Sequence, residues 1–262
     1  MQAQSEGEGH VMLKPVDYNQ RQHQGYAAGR AMPEESRAVW AAALARRAPA
    51  RRPLSVLDLG SGTGRLTPML AETFGGPVWG VEPHEQMRAQ AEAAPHPETV
   101  TYLDGRAEAI PLEDGSCDLI VMFLSLHHVR ERAAAAREIR RVLVPDGRVL
   151  IRSTFSDRMP EIDWHAWFEG AREAEMLMFP TTGDVEAMFA PVGLEPVAID
   201  VVREKYADTM TDYAARMRLK SISTFEHLDA AAIAAGMLRM EAAVAAEPDR
   251  AVYGDGDLMV LG

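Results

Sequence analysis

Between about residues 54 and 154 the chain alternates short apolar, β-rich runs with stretches whose apolar positions recur at helical spacing. That alternation builds a parallel sheet covered by helices on both faces. It predicts strands at Ser55 to Leu59, Val78 to Glu82, Val100 to Leu103, Cys117 to Phe123 and Arg148 to Ser153, with helices at Arg65 to Phe74, Glu85 to Ala93 and Arg132 to Val142. Pro145, Asp146 and Gly147 are a turn signal ahead of the fifth strand. Upstream, Val39, Trp40, Ala43 and Leu44 mark a helix over Glu34 to Arg47, which Pro49 and Pro53 close.

After Phe155 the texture changes. Trp164, Trp167, Phe168, Met176, Met178 and Phe179, ended by Pro180, read as an inserted helical stretch. Thr182 to Phe189 reads as a helix, Leu194 to Val202 as a sixth strand, Thr211 to Ala246 as a second, Ala-rich helical region, and Asp257 to Leu261 as a final strand. The expectation is an α/β fold: a doubly wound, mostly parallel seven-stranded sheet, with helical insertions capping the strand ends. It divides into an N-terminal arm (1–33), an α/β core (34–155) and the cap insertions with the last strands (156–262), forming one domain overall. The arm opens polar and rich in Gly and Gln, a composition with little apolar surface to bury.

Composition narrows the partners. With 262 residues and 47% hydrophobic content the chain can bury one substantial core. A formal charge of −12 and a pI near 5.1 repel phosphate backbones and anionic lipid, so nucleic acid and membranes are not expected partners. Cys117 stands alone and cannot close an internal disulfide. Met1 to His10 carry acids and Gly where a signal peptide needs a basic start and an apolar run. A cytoplasmic protein, monomer or homodimer, is expected. Cys117, inside the fourth predicted strand, reads as a buried thiol. His84, His96, His165 and His227 lack metal-site spacing, and no metal is expected.

The chemistry starts at Val56-Leu57-Asp58-Leu59-Gly60-Ser61-Gly62-Thr63-Gly64, where alternate glycines follow a buried strand and precede a helix. Glycines there let the backbone turn sharply and approach a ligand, while the helix start presents free N–H groups. A dinucleotide loop would read G-x-G-x-x-G, but Arg65 stands where its third Gly would be. Glu82 ends the next strand, where an acid can accept hydrogen bonds from ribose hydroxyls; a solvated strand-end acid is the bland alternative. Asp58, an acid inside an apolar strand, is costly to bury without a cationic ligand or a backbone N–H as partner.

The ordered motifs VLDLGSGTG (Val56 to Gly64), WGVEPHEQM (Trp79 to Met87), GRAEAIPLEDGSCDLIV (Gly105 to Val121), SLHHV (Ser125 to Val129) and LVPDGRVLI (Leu143 to Ile151) resemble the class I S-adenosylmethionine-dependent methyltransferases, in particular those acting on small molecules. The resemblance covers about Trp40 to Ser153. It implies a Rossmann-like fold, S-adenosyl-L-methionine as cofactor, and methyl transfer to a small-molecule acceptor. It also implies that Asp58, Gly60 and Gly62 hold the methionine end, with Ser61 and Thr63 lining the loop. Glu82 would bind the ribose, Pro83 and Met87 would flank sugar and adenine, and Ala107 and Glu108 would lie at the adenine edge. Many relatives carry Asp where this chain has Arg106, which leaves the adenine N6 partner open. Phe123 and Leu124 would face the transferable methyl. Tyr26 and Arg30 are candidates for closing over the cofactor carboxylate, or are surface residues before a helix.

Methyl transfer chiefly needs alignment and exclusion of water. His127 and His128 follow the fourth strand, on the side where doubly wound sheets bind ligands, and neutral imidazole is a suitable base. Helical divergence of neighbouring side chains predicts that only one of them faces the cleft; the pair alternatively only shapes the pocket. Thr154, Phe155 and the cap residues Trp164, Trp167, Phe168, Met176, Phe179 and Met217 are candidates for an apolar acceptor pocket, or core filler. Open alternatives are methylation of a peptide or protein group, a binding protein that keeps the ligand without turnover, and a nicotinamide-dependent oxidoreductase, which Arg65 disfavours.

Overall fold

The computed structural model describes Gly29 and residues 32–262. Helix α1 (Glu34–Arg47) leads into β1 (Leu54–Leu59), α2 (Thr67–Phe74), β2 (Gly75–Val81), α3 (Glu85–Ala93), β3 (Val100–Leu103), β4 (Cys117–Phe123), α4 (Arg132–Val142) and β5 (Leu143–Ser153). The strands form one sheet in the order β3-β2-β1-β4-β5-β7-β6, with β6 (Pro196–Ala207) and β7 (Val252–Leu261) completing it. The first five strands pair in parallel, while β7 runs antiparallel to both β5 and β6. The predicted seven-stranded, doubly wound α/β architecture is the one observed.

Alternation along the strands divides the core. Leu57, Ile120, Met122, Val149, Ile151 and Met259 face α4 and a later helix, α7 (Thr182–Phe189). Their chain neighbours Val56, Leu119, Val121, Leu150 and Leu258 face α1 and α2. Period-2 side chains that are apolar in both phases are the mark of a sheet buried on both faces. Cys117 is one of these buried side chains, and burial pushes its thiol up to about 11, so it packs as a small hydrophobe.

Several predicted boundaries move, for local reasons. Helix α2 begins at Thr67 instead of Arg65, because the glycine loop continues to Leu66 and Pro68 sits in the helix's first turn. The Pro145-Asp146-Gly147 turn signal falls inside β5, whose register against β4 slips between Leu143 and Arg148; the turn is accommodated as an irregularity in a longer strand. Strands β6 and β7 extend each other from Pro196↔Leu261 out to Ala207↔Val252, well past the predicted Val202 and Asp257, since each supplies the other's hydrogen bonds beyond the rest of the sheet.

The two insertions pack on each other. Helices α5 (Asp163–Trp167) and α6 (Ala171–Met178) precede α7. Helices α8 (Met210–Arg218) and α9 (Ala230–Ala246) lie between β6 and β7, separated by a turn of 3-10 helix, Ser223–His227. The helical region predicted over Thr211 to Ala246 is thus two helices joined by that turn. Trp164, Phe168, Met210, Ala214, Phe225 and Met240 form a third apolar cluster, apart from the two sheet faces. Trp167 and Phe168, candidates for pocket wall, belong to this cluster, Phe155 is buried in the sheet core, and Met176 is half exposed at 51%. No helix among the described residues is long and apolar enough to cross a membrane.

Gly236, inside α9, tests that packing. A methyl group there would lie 2.6 Å from Cε1 of the fully buried Phe168 ring. Alanine normally favours a helix interior over glycine by about 1 kcal/mol, but this contact reverses the sign. Gly236→Ala is expected to lower stability by about 1–2 kcal/mol, read as a fall in the denaturation midpoint; a rise would show that the insertions do not pack this tightly.

Candidate active site

The loop after β1 holds its shape through bonds to other segments. The N–H groups of Gly60 and Ser61 donate to the Val81 carbonyl at 2.8 and 3.2 Å, and Gly62 N–H donates to Glu82 Oε2 at 3.0 Å. The Ser125 hydroxyl, from beyond β4, donates to the Leu59 carbonyl at 2.7 Å. Gly60 (φ +81°) has no room for a side chain, since a Cβ would fall 2.5 Å from Cβ of Ser125. Gly62 needs glycine for its backbone (φ +57°), yet only Met87 Cε, 3.6 Å away, would approach its Cβ, so the loop is open on that side.

Asp58 is 2% exposed and accepts a hydrogen bond from the Thr67 hydroxyl at 2.7 Å. Of the partners expected for it, a cationic ligand or a backbone N–H, the described residues supply neither; a side chain from the first turn of α2 donates instead. Burial pushes the carboxyl up from 3.8 to about 6, against the Thr67 bond and the Arg65 charge, while the Glu82 charge adds to the rise. Glu82, 6% exposed, is engaged through both oxygens: besides Gly62 it accepts from His84 N–H at 3.0 Å and meets His84 Nδ1 at 2.7 Å. It is not a solvated strand-end acid.

Two cavities open at the strand ends. The first is lined by Gly60 and Gly62 from the loop, by Glu82, Pro83 and Met87 from the start of α3, and by Arg106, Ala107 and Glu108 from beyond β3. Asp58 and Ser61, predicted to hold the cofactor, are buried and do not line it, and the Ser61 hydroxyl has no hydrogen-bond partner among the described residues. Glu108 also accepts from the N–H groups of Arg130 and Glu131, which fastens the segment before α4. The second cavity lies between the sheet and the cap. Thr154 lines it from the core, and Trp164, Phe179 and Met217 line it from the insertions, as expected. Phe123, Leu124 and His128 line both cavities, so the two adjoin at the end of β4. Leu124 adopts φ +58°, a strained conformation for a side-chain-bearing residue, at that junction.

His127 and His128 both line the second cavity. They stand on a 3-10 turn, Leu126–His128, with ring centroids 3.9 Å apart, and the His127 ring meets Phe179 edge-on at 4.7 Å. The expectation that only one would face the cleft fails because this single tight turn follows the left-handed Leu124 and does not continue as an α-helix. Tyr26 and Arg30 lie outside the described residues.

The second cavity is also more polar than the predicted apolar pocket. Arg152 and Glu204 form an ion pair at 2.7 Å, each side chain 7% exposed, with the guanidinium over the Trp40 and Phe123 rings. Burial works against the Arg152 charge, but Glu204 and Tyr206 outweigh it and hold its pKa above the ordinary value. Glu175 and Arg216 add further charge to the wall. These residues were missed although Arg152, a cation directly after the apolar run Val149 to Ile151 and inside the predicted strand, carries the signal that singled out Asp58. Among the described residues no group of His, Cys, Asp and Glu could hold a metal ion.

Such a sheet, with a glycine loop after its first strand and an acid ending its second, defines a Rossmann-like α/β fold. Residues 57–151 match the methyltransferase domain family. A methyltransferase of Mycobacterium bovis, itself uncharacterised, is 44% identical over 105 residues, which are 40% of this chain and 42% of that protein. The demethylmenaquinone methyltransferase of Lactococcus lactis is 37% identical over 112 residues, 41% of this chain and 44% of that one. A solved structure from Anabaena variabilis, assigned as a methyltransferase of an antibiotic-biosynthesis pathway, superimposes with a TM-score of 0.70 at 18% identity, over 89% of this chain and 99% of that one. Over this matched region the chain is similar to methyltransferase domains. It spans less than half the length of these curated relatives.

The raised carboxyl of Asp58 makes a signed prediction. Its protonated form stabilises the fold at acid pH, and that contribution is lost as pH rises from about 4 to about 6. Asp58→Asn removes this dependence, so the melting temperature of the variant minus that of the parent is expected to grow across that window and stay level above it. A difference curve that is flat from pH 4 to 7 would place Asp58 in a solvated setting.

Proposed function

We propose that this protein transfers a methyl group from S-adenosylmethionine to a small-molecule acceptor held beneath the cap, with the core and the insertions acting as one domain. The observation that carries the reading is the junction at Phe123, Leu124 and His128, where a glycine-lined crevice adjoins a cavity roofed by the insertions. The residues present fit the cofactor. Gly62 leaves its side of the loop open, Ser61 keeps a buried hydroxyl for a further partner, and Asp58 is a buried acid with no Lys or Arg ion pair among the described residues. In this reading Asp58, Gly60, Ser61 and Gly62 hold the methionine end, Glu82 the ribose, Pro83 and Met87 the sugar and adenine, and Ala107 and Glu108 the adenine edge. Tyr26 and Arg30 remain candidates for the carboxylate.

The bound cofactor supplies a methyl group already activated as an electrophile. The chain's own task is alignment and exclusion of water. Phe123 and Leu124 stand between the two cavities, where an acceptor atom would meet the methyl group in line. Either His127 or His128 takes the acceptor proton where the acceptor has one to lose. The cap favours a small molecule over a peptide or protein group, because the insertions roof the cavity with Trp164, Phe179 and Met217. The acidic surface sets nucleic acid apart from the acceptors considered.

Calorimetric titration with S-adenosylhomocysteine tests the cofactor half. Glu82→Ala is expected to weaken binding by about tenfold or more, since it removes both a ligand acceptor and the bond that shapes Gly62. Unchanged affinity would remove Glu82 from the site. Labelled-methyl transfer into a metabolite extract tests the other half, and His127→Ala and His128→Ala are expected to differ in rate, with one of them slower by about a hundredfold or more. Equal, near-parental rates would remove the base role from both, and an extract that takes up no label would favour a binding protein without turnover.

A further inference from the structure

Glu175 has a setting that methyl transfer by itself does not explain. It belongs to α6, its side chain is 7% exposed, and it lines the cap cavity. His165 Nε2 of α5 lies 2.7 Å from its Oε2, and the Thr224 hydroxyl, from the turn Ser223–His227, donates to its Oε1 at 3.1 Å. Three segments of the cap thus converge on one carboxylate. Those two contacts leave about half of its lone-pair positions unused.

The cations of the same cavity are committed elsewhere. Arg152 pairs with Glu204, Lys205 with Glu35 and Asp208, Arg216 donates to the Tyr206 carbonyl, and Arg65 lies over the Phe123 ring. No Lys or Arg nitrogen lies within ion-pair distance of Glu175 among the described residues; His165 is its one ionic contact. A buried acid whose one titratable contact is an imidazole, with no Lys or Arg beside it among the described residues, is costly, and an apolar side chain would fill the same space without that cost. The rings of Trp164, Phe179 and Tyr213 line the cavity with it, and aromatic faces beside a carboxylate are the surroundings that hold an organic ammonium group.

Position supports the same occupant. Phe179 lies four residues after Glu175, about 6 Å further along the helix direction, and it is the ring that meets His127. A molecule gripped at Glu175 therefore extends toward the histidine pair and the end of β4. We propose that Glu175, positioned by His165 and Thr224, is the acceptor-recognition residue of this cavity, and that the acceptor carries an amine bound as its ammonium ion. The ammonium is the handle and a different atom receives the methyl group. Only the word acceptor rests on the methyl-transfer reading; the amine specificity does not.

The test uses the full chain with benzylamine as probe and benzyl alcohol and benzoate as controls of similar shape, titrated calorimetrically with and without S-adenosylhomocysteine. Benzylamine is expected to bind at least about tenfold more tightly than either control, and Glu175→Gln is expected to remove that preference while leaving S-adenosylhomocysteine affinity intact. A role confined to holding the cap together would lower the melting temperature and leave the amine preference in place. Equal binding of the three probes, no benzylamine binding to the parent, or an unchanged preference in Glu175→Gln overturns the proposal. Should Glu175→Gln not fold, the probe ranking on the parent and on Thr224→Val decides it: amine preference present in the parent and weakened in Thr224→Val supports the assignment, and any other ranking defeats it. Loss of S-adenosylhomocysteine binding by the parent would overturn the methyl-transfer reading, while the ranking measured without that ligand would still decide the amine question.

Discussion

The loop between β1 and α2 cannot satisfy its own polar groups, and the way neighbouring segments satisfy them places everything else. Gly60 and Ser61 hang on the Val81 carbonyl and Gly62 on Glu82, so the ends of β1 and β2 are held side by side. Ser125 is tied to the Leu59 carbonyl, and Leu124 N–H donates to the Arg152 carbonyl. Between these two anchors the chain leaves β4 through a left-handed residue, and the short turn that follows sets both histidines against the cap. The strain at Leu124 is therefore tied to the junction of the two cavities, as expected where surrounding bonds over-determine the backbone.

How much of this could be read beforehand depends on the range of the interactions involved. Strands β3 and β4 and helices α1, α3 and α4 end where the spacing of apolar residues places them, because their boundaries are set by local pattern and by Pro, Gly or a charged turn. The glycine loop and Glu82 were visible because each sits at the end of a recognisable strand, Gly62 after β1 and the acid that answers it after β2. The length of β6 and β7 was not visible, since residues 203–207 become strand only because residues 252–255 lie alongside. The His127 and His128 arrangement was misjudged because it turns on one backbone angle at Leu124, where Leu has no propensity that announces a positive φ.

The cap shows the same divide more sharply. Its aromatic and Met residues were visible as a group, but which of them face a cavity depends on packing between insertions separated by the whole of α7 and β6. Trp164 and Phe179 reach the cavity, while Phe168 is turned against Gly236 of α9. Glu175 and Glu204 went unnoticed because each sits among other charged residues in its own segment, Glu169 to Glu175 and Arg203 to Lys205, where acids read as surface. Burial of those two is a property of the assembled cap and sheet.

Charge then separates the two cavities from the rest of the molecule. Elsewhere most buried or half-buried acids meet guanidinium groups: Asp118 faces Arg51, Asp200 takes Arg46 and Arg47, Asp257 takes Arg158 and Glu204 takes Arg152, while Glu82 is held by backbone N–H groups and His84. Asp58 and Glu175 are different, for each is almost fully buried, each is oriented by a Thr hydroxyl, and neither has an Arg or Lys ion pair among the described residues. One stands behind the glycine-lined crevice and the other on the wall of the cap cavity. A fold that neutralises Asp118 and Glu204 with arginine, and answers Glu82 with backbone N–H groups and His84, has left these two carboxyl groups to be answered from within the cavities. A sulfonium-bearing cofactor in the first and an ammonium-bearing acceptor in the second would complete the pairing, and burial from water would make each pairing stronger than it could be on the surface.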